Sequence, residues 1–263
     1  MSLFDLPRLM VAPNGAFRQK SDHPAVPMTI DELIICASAC AEAGADGMHF
    51  HLRDPSGAHL LDVRGYQEAL SALQTAEPRL AYQITTEAAG RYEADYQKTI
   101  ALETGAALVS ASVRELMRDG VERFAPFHAE CRARNICVQH ILYDVDDFNL
   151  LQTHLPPEQF HDPKMQLLFV LGRYSAGQVS DPKDLSPFLE AMTHARITPD
   201  WAICAFGQTE VAALTHAHHQ GGKLRVGFEN SVFLSNGEIA RDNAEKITDL
   251  RRNLAQGAMY PHA

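Results

Sequence analysis

The chain has 263 residues, of which 46% are hydrophobic, and a formal net charge of −10. Such an acidic chain disfavours nucleic acid and anionic membrane surfaces as its main partners, while a local basic pocket for an anionic substrate stays compatible with it. The length and apolar content suit one α/β barrel domain over residues 1–263 better than two ordinary domains. The longest apolar runs are too short to span a bilayer.

Five cysteines occur, and none belongs to a CxxC pair. An odd number of cysteines without a secretory signal predicts reduced thiols and a cytoplasmic protein. Cys36 and Cys40 recur on the apolar face of a predicted helix, so we interpret them as core residues rather than as a pair of metal ligands. Thr29 and Glu32 form a capping box that predicts the start of this helix.

Short apolar segments alternate with amphipathic segments along the whole chain. The apolar segments predict strands and the amphipathic segments predict helices between them. The predicted strands are Leu9–Ala12, Met48–Asp54, Leu80–Thr85, Ala107–Ser112, Ile136–Leu142, Gln166–Leu171, Trp201–Ala205 and Leu224–Phe228. The predicted helices after the capping-box helix are Val63–Gln74, Glu93–Glu103, Val121–Arg134, Asp146–Thr153, Asp184–Thr193, Thr209–His219 and Ala240–Leu254.

This alternation predicts a parallel sheet, and eight strand-helix units in one domain favour a closed (β/α)8 TIM barrel. An open, doubly wound sheet is the alternative. It is less favoured because no glycine-rich phosphate-binding turn follows the first strand. Active sites of such barrels lie at the carboxyl ends of the strands, so those positions hold the candidate functional residues.

The second predicted strand carries two histidines near its end. Alternation along a strand places His49, His51 and Arg53 on one face and the intervening apolar residues on the other. Two imidazoles at this spacing can share one metal ion. The alternative is a pair of polar histidines that each form a separate hydrogen bond.

The eighth predicted strand places Arg225, Gly227 and Glu229 on one face. In a closed barrel this face converges on the same opening as the histidines, and two histidines with one carboxylate match a catalytic zinc site. Ferrous iron, manganese or nickel would accept the same ligands. The alternative for Glu229 is a salt bridge with Arg225.

Hydroxyl groups end the third and fourth predicted strands. Thr85 and Thr86 close one, and Ser110 and Ser112 share a face of the other. Such hydroxyls can bind a carboxylate or a developing oxyanion, or they can simply cap the following helices. The sequence contains no GxSxG motif, and Lys223 alone among the lysines lies at a strand end, so serine-nucleophile and Schiff-base mechanisms have little support. We assign His216, His218 and His219 to a solvated helix face.

Several motifs together resemble one enzyme family, the beta-keto acid cleavage enzymes, whose type member cleaves 3-keto-5-aminohexanoate. The resemblance covers nearly the whole chain. Its motifs are APNGA at 12–16, PAVPMT at 24–29, HFHLR at 49–53, GGKLRVGFEN at 221–230 and SNGE at 235–238. The combination of the histidine motif with the motif of the eighth strand is the most specific part.

The resemblance implies a zinc ion held by His49, His51 and Glu229. It implies acetyl-CoA as co-substrate, a beta-keto acid as substrate, and acetoacetate with a new acyl-CoA as products. Arg225 matches the arginine of the family's catalytic dyad, and Thr85 and Ser112 match hydroxyl positions. The other candidate substrate-binding residues are Asn14, Arg53, Thr86, Glu87 and Ser110. Family members commonly form homo-oligomers, so a tetramer or a dimer is expected.

Three residues depart from the family pattern. Asn230, followed by Ser231, occupies the position of the family's usual acid, and an amide cannot accept a proton as a carboxylate does. Glu87 replaces a common glycine and either narrows the site or supplies the missing carboxylate. Phe17 lies near the position where the amino-acid-cleaving type has a glutamate, which disfavours a substrate that carries an ammonium group.

Three hypotheses follow. The first is a metal-dependent beta-keto acid cleavage enzyme that uses acetyl-CoA. The second is a metal-dependent hydrolase or retro-aldolase on the same barrel, and the third is a non-catalytic relative that binds keto acids. Asn230 motivates the second and the third, and dependence on acetyl-CoA distinguishes the first.

Overall fold

The computed structural model describes residues 5–257. Eight parallel strands form a closed barrel, in which the first strand pairs with both the second and the last. The barrel strands are β1 (Leu9–Val11), β2 (Gly47–Phe50), β5 (Ala81–Thr85), β6 (Leu108–Ser112), β7 (Cys137–Leu142), β8 (Gln166–Leu171), β9 (Asp200–Ala205) and β10 (Lys223–Val226). The predicted (β/α)8 barrel is confirmed, and the open-sheet alternative is wrong.

Two further strands lie outside the barrel and correct the prediction for the histidine segment. β3 (Leu52–Arg53) and β4 (His59–Leu60) form an antiparallel hairpin directly after β2. The predicted strand Met48–Asp54 is therefore two strands, because the chain leaves the barrel after Phe50. The eighth barrel strand also ends earlier than predicted, at Val226 instead of Phe228.

Helices surround the barrel and agree with the predictions to within a few residues at most ends. They are α1 (Ile30–Ala43), α2 (Val63–Ala76), α3 (Ala94–Glu103), α4 (Val113–Leu116), α5 (Phe124–Ala133), α6 (Val145–His154), α7 (Pro157–Phe160), α8 (Ser186–Ala195), α9 (Glu210–His219) and α10 (Asn243–Gly257). The capping box of Thr29 and Glu32 is present at the start of α1. The predicted helices from Val121 and Asp184 begin as 3₁₀ turns, and proline in the first turn accounts for the latter.

The sheet separates two environments. Residues that point outward from the strands, such as Ile84 and Phe169, pack against the helices in the main apolar core. The barrel interior is apolar on one side, where Leu168, Val170 and Cys204 cluster. Its other side is polar, since buried His49 and glutamine side chains from β5 and β7 occupy it. This polar side continues directly into the site described below.

A second pair of buried histidines lies where β7 packs against α5. His128 on α5 and His140 have ring centroids 4.7 Å apart. Burial lowers the pKa of His140 to about 4 and lowers that of His128 well below its ordinary value. Between pH 6.5 and about 4 the unfolded chain therefore binds protons that the folded chain does not, and stability falls as the pH falls.

We expect the free energy of unfolding to depend less on pH after His140→Gln. Each neutral buried histidine contributes a slope of up to about 1.4 kcal/mol per pH unit below pH 6.5, and the variant loses one such contribution. Urea titrations at pH 5.0, 5.75 and 6.5 measure the slope of both proteins. Equal slopes for wild type and variant would contradict the assignment.

The described helices include none with the length and hydropathy required to cross a membrane.

Candidate active site and metal centre

Three side chains from opposite ends of the sequence converge at the carboxyl-terminal opening of the barrel. His49 Nε2 lies 3.0 Å from His51 Nε2. Glu229 Oε2 lies 3.7 Å from the first of these nitrogens and 3.8 Å from the second. Among residues 5–257 these three form the one group of histidine, cysteine or acidic side chains arranged closely enough to hold a metal ion, with ligand atoms within 4.8 Å of one another.

The arrangement of these atoms fits a zinc ion. A tetrahedral site holds nitrogen and oxygen ligands at about 2.0–2.2 Å from zinc, which separates the ligand atoms by roughly 3.3 Å. The observed triangle brackets this spacing. Within residues 5–257, no hydrogen-bond donor reaches the buried Oε2 atom of Glu229. Burial also lowers the pKa of both histidines well below the ordinary value, so both imidazoles are neutral at pH 7 and can act as ligands.

The backbone around His51 is held from the loop after β1. The Asn14 side chain donates from Nδ2 to the carbonyl of His51 at 2.9 Å and accepts from its N–H at 3.2 Å. It also donates to Pro27. His51 has left the barrel strand, so these two bonds replace the sheet pairing that would otherwise fix its direction. Asn14 was predicted to bind substrate. Its side chain lines the cavity, yet its amide is committed to the backbone.

A glycine turn places Glu229 beyond the end of β10. Gly227 has φ 148°, and a Cβ at this position would lie 2.3 Å from the carbonyl oxygen of Ala12. Gly15, with φ 62°, packs against the Glu229 side chain. A Cβ at Gly15 would lie 2.5 Å from Cγ of Glu229. Only glycine fits both positions. Strand alternation predicted the direction of Glu229 correctly, but the turn produces it.

The two oxygens of Glu229 have different neighbours. While Oε2 faces the histidines, Oε1 accepts from Arg225 Nη2 at 3.2 Å. Both sequence interpretations of Glu229, ligand and salt-bridge partner, are therefore compatible with one geometry. Arg225 is buried, and its Nε and Nη1 atoms have no acceptor among the described residues. A buried guanidinium with unused donors beside a metal centre is suited to bind an anionic group.

The strand-end hydroxyls divide into two pairs. Thr85 and Ser112 line the cavity, and the buried Ser112 hydroxyl has no hydrogen-bond partner among the described residues. Thr85 Oγ1 accepts from the N–H of Glu87 at 2.9 Å. Thr86 donates its hydroxyl to the carbonyl of Ser110, and neither of these two residues lines the cavity. The Thr86 hydroxyl thus bonds to the neighbouring strand β6, which is a structural role and not substrate binding.

Glu87 lines the cavity beside the histidines. Its Oε2 lies 4.0 Å from Nδ1 of His51, a nitrogen that has no hydrogen-bond partner among the described residues. Burial, together with the nearby charge of Glu229, raises the pKa of the Glu87 carboxyl to about 7. The Glu87 side chain lines the cavity, as expected of a residue that places a carboxyl group in the site.

Two predicted site residues lie elsewhere. Arg53 does not project with the histidines, because it belongs to the β3–β4 hairpin. Its guanidinium donates to backbone carbonyls of the loop after β1, including that of Gly15, and to Gly57. Asn230 is buried outside the cavity, and neither polar atom of its side chain has a hydrogen-bond partner in the described part of the chain. Neither side chain reaches the cavity surface.

The outer wall of the cavity contains residues that the sequence interpretation missed. Arg173 packs between two aromatic rings, with its guanidinium carbon 5.3 Å from the centroid of Phe17 and 5.2 Å from that of Phe206. It forms no ion pair with any described residue. Tyr143 lines the cavity one residue beyond β7, and Arg173 lies two beyond β8. Inspection of the residues just after each predicted strand, rather than its last residues, would have found both.

The cavity has a volume of about 180 Å³ and contains the metal-ligand triad at its base. Of the three histidines assigned to a solvated face of α9, His218 and His219 are exposed as predicted, whereas His216 is half-buried. Fold and site together define a (β/α)8 barrel protein with a candidate metal centre at the carboxyl ends of its strands.

Comparison with known sequences gives the family. The sequence profile of beta-keto acid cleavage enzymes matches residues 8–259. The chain belongs to the beta-keto acid cleavage enzyme family, which confirms the resemblance drawn from its motifs.

The curated relatives are distant. The 3-oxoadipate:acetyl-CoA acetyltransferase of Cupriavidus necator is 24% identical over 255 residues, which cover 92% of this chain and 86% of the relative. The 3-keto-5-aminohexanoate cleavage enzyme of Fusobacterium nucleatum is 22% identical over 239 residues, covering 89% and 85%. Among solved structures, a binary complex of ObcA with oxaloacetate superposes with a TM-score of 0.69 at 14% identity. That match covers 89% of this chain and 64% of ObcA, just under two thirds of its length, and it shows a shared fold alone.

Proposed function

We propose that the protein is a metal-dependent beta-keto acid cleavage enzyme that uses acetyl-CoA. In this reaction the bond between C2 and C3 of the keto acid breaks, and C2 joins the acetyl carbonyl carbon to give acetoacetate. The remaining acyl group leaves as a thioester of the released CoA. The observation that carries the proposal is the triad of His49, His51 and Glu229 beside Arg225, in a chain of this family.

The side chains suit the charges that this reaction develops. A divalent metal held by the triad would polarise the keto group of the substrate as a Lewis acid. Arg225 would direct its two unused donors at the substrate carboxylate or at an enolate-like oxygen. The unpartnered Ser112 hydroxyl and the Thr85 hydroxyl supply further donors at the cavity surface. Burial raises the pKa of Cys204 to about 11, so this thiol stays protonated and is not a nucleophile at pH 7.

On the side of the cavity where Arg173 lies, the charge disfavours a substrate with a cationic distal end, while Asp22, Glu87 and Glu115 also line this cavity. Arg173 presents a positive charge there, held between Phe17 and Phe206, without a carboxylate partner among the described residues. An ammonium group placed beside it would be repelled, whereas a methyl group or a carboxylate would be accepted. The ring of Phe17, whose face could otherwise attract a cation, already has the Arg173 guanidinium over it. This supports the expectation drawn from Phe17 in the sequence.

The test is acetyl-CoA-dependent release of acetoacetate from a matched panel of keto acids. Suitable members are 3-oxohexanoate, 3-oxoadipate and 3-keto-5-aminohexanoate, which end in a methyl group, a carboxylate and an ammonium-bearing carbon chain. Metal content is measured on the same preparation. We expect turnover of the first two and the slowest turnover of the third. Cleavage at full rate without acetyl-CoA would favour the hydrolase or retro-aldolase, and binding without any turnover would favour the non-catalytic relative.

Asn230 provides a test against the non-catalytic alternative. Its side chain does not line the cavity, so we expect Asn230→Asp to change kcat/KM by less than about tenfold, equivalent to less than about 1.4 kcal/mol. Steady-state kinetics on the best keto acid of the panel measure this. A gain of about 100-fold or more would show that the native chain is impaired for the family reaction. Asn230→Ala serves as the control for disturbance of the buried site.

Zinc as the metal, a cytoplasmic location and a homo-oligomeric state stay predictions. The cysteines Cys36, Cys40, Cys131 and Cys204 carry free thiols, which suits a reducing compartment.

A further inference from the structure

Three buried side-chain hydrogen bonds connect the metal centre to the far side of the barrel interior. His49 Nδ1 lies 3.0 Å from Gln83 Oε1 on β5. Gln83 Nε2 donates to Gln139 Oε1 on β7 at 3.0 Å. Gln139 Nε2 donates to the backbone carbonyl of Leu167 on β8 at 3.2 Å. The two amides are no more than 1% exposed, so water does not compete for these bonds.

The last of these three hydrogen bonds sets the direction of the other two. A backbone carbonyl can only accept, so Gln139 must present its NH2 group to Leu167 and its oxygen to Gln83. Gln83 then donates to that oxygen and presents its own oxygen to His49. An amide oxygen can only accept, and Nδ1 of His49 must therefore carry the proton. Its Nε2 atom is left with the lone pair, directed at His51 and Glu229.

We propose that Gln83 and Gln139 are positioning residues that fix His49 in the tautomer required to bind a metal ion through Nε2. This inference rests on the metal site of the proposed function. Metal-binding histidines usually donate their second ring N–H to a carboxylate or a backbone carbonyl, whose acceptor character is permanent. A glutamine amide can turn around and offer its NH2 group instead. Gln83 therefore holds the correct tautomer only because Gln139, fixed by Leu167, blocks that rotation.

Gln139 is therefore expected to affect metal affinity, although it contacts neither His49 nor the other two candidate ligands. If the two amides only filled space, the loss of Gln139 would not change metal affinity. The two rings are linked, because Nε2 of His49 and Nε2 of His51 lie 3.0 Å apart. In the metal-free protein the lone pair of His49 Nε2 accepts from His51 Nε2–H, so the loss of Gln139 is expected to change the tautomers of both rings together.

The experiment compares zinc affinity, by chelator competition, for wild type, Gln83→Met and Gln139→Met. We expect each variant to bind zinc about 10- to 100-fold more weakly, the range found when such supporting partners are removed. Gln97→Met is the matched control, because Gln97 is equally buried but donates to Thr86 and Glu115 and not to a ligand. This control should retain wild-type zinc affinity. Thermal unfolding of the metal-free proteins compares their stability.

A double variant separates positioning from packing. The carboxylate of Gln83→Glu can only accept, so it holds the His49 tautomer without help from residue 139. We expect Gln139→Met to lower zinc affinity by less than about twofold in the Gln83→Glu background, against about tenfold or more in the wild-type background. Equal losses in both backgrounds would overturn the inference.

Nitrogen-15 NMR of histidine-labelled, metal-free protein reads the tautomer directly. We expect wild-type His49 to be protonated at Nδ1 and Gln139→Met to show a mixture of both tautomers. A wild-type tautomer together with wild-type zinc affinity in Gln139→Met would refute the inference. If wild type itself binds no zinc, the metal site of the proposed function fails, and the NMR measurement still decides whether the glutamines set the tautomer.

Discussion

Replacing His49 with alanine is expected to remove the bound metal and nearly all turnover. The variant loses one of three ligands, and the remaining imidazole and carboxylate hold a divalent ion much more weakly. Loss of the several kcal/mol that a Lewis acid contributes corresponds to a fall in kcat of about 1,000-fold or more. Metal analysis and acetoacetate release on the same sample measure the two effects together.

His218→Ala is the matched control for this substitution. His218 is exposed on α9, away from the cavity, so the same change of residue should leave metal content and rate unaltered. A His49→Ala protein that is free of metal but still active would show that the triad is not the catalytic centre. A variant that keeps one equivalent of metal would show that the ion binds elsewhere.

Replacing Arg225 with methionine is expected to lower kcat/KM by about 100- to 1,000-fold while metal stays bound. The arginine contacts Oε1 of Glu229, whereas Oε2 faces the histidines, so its loss removes donors for the substrate without removing a ligand. Methionine keeps most of the buried volume. The measurement is steady-state kinetics combined with metal analysis.

Arg225→Lys separates charge from hydrogen-bond geometry. Lysine keeps a positive charge but lacks the planar set of donors, so we expect an intermediate rate. If Arg225→Met loses its metal together with its activity, the arginine acts mainly by holding Glu229 in place. That outcome would contradict a direct role toward substrate.

Most of the fold could be predicted from local pattern. Strands such as Gln166–Leu171 are continuous apolar runs, because parallel barrel strands are buried on both faces. The start of α1 followed from the side chains of Thr29 and Glu32, which act within one turn. The boundaries that failed lie where tertiary contacts end a strand. Phe50 and Val226 are followed by segments that pack against the loop after β1. Gly227 marks the second of these changes, whereas no local signal marks the first.

The candidate site was predicted in part. Spacing within a strand led to His49 and His51, and barrel closure led to Glu229. The same alternation predicted that Arg53 would point into the site. The hairpin after β2 instead places its guanidinium against backbone carbonyls. Arg173 and Tyr143 were missed because they follow their strands, in loops whose direction depends on packing.

The sequence by itself determined the type of barrel and the three candidate metal ligands, since these depend on periodicity and on residue types at strand ends, and its motifs indicated the family by resemblance. Only the tertiary structure decided how those ligands are oriented. Glu229 divides its oxygens between Arg225 and the histidines, and Gln83 and Gln139 direct Nε2 of His49 at the same point. These hydrogen bonds join residues that are far apart in the sequence. Whether each bond forms depends on its angle and on differences of a few tenths of an ångström in its length. Such geometry is fixed only when the barrel closes.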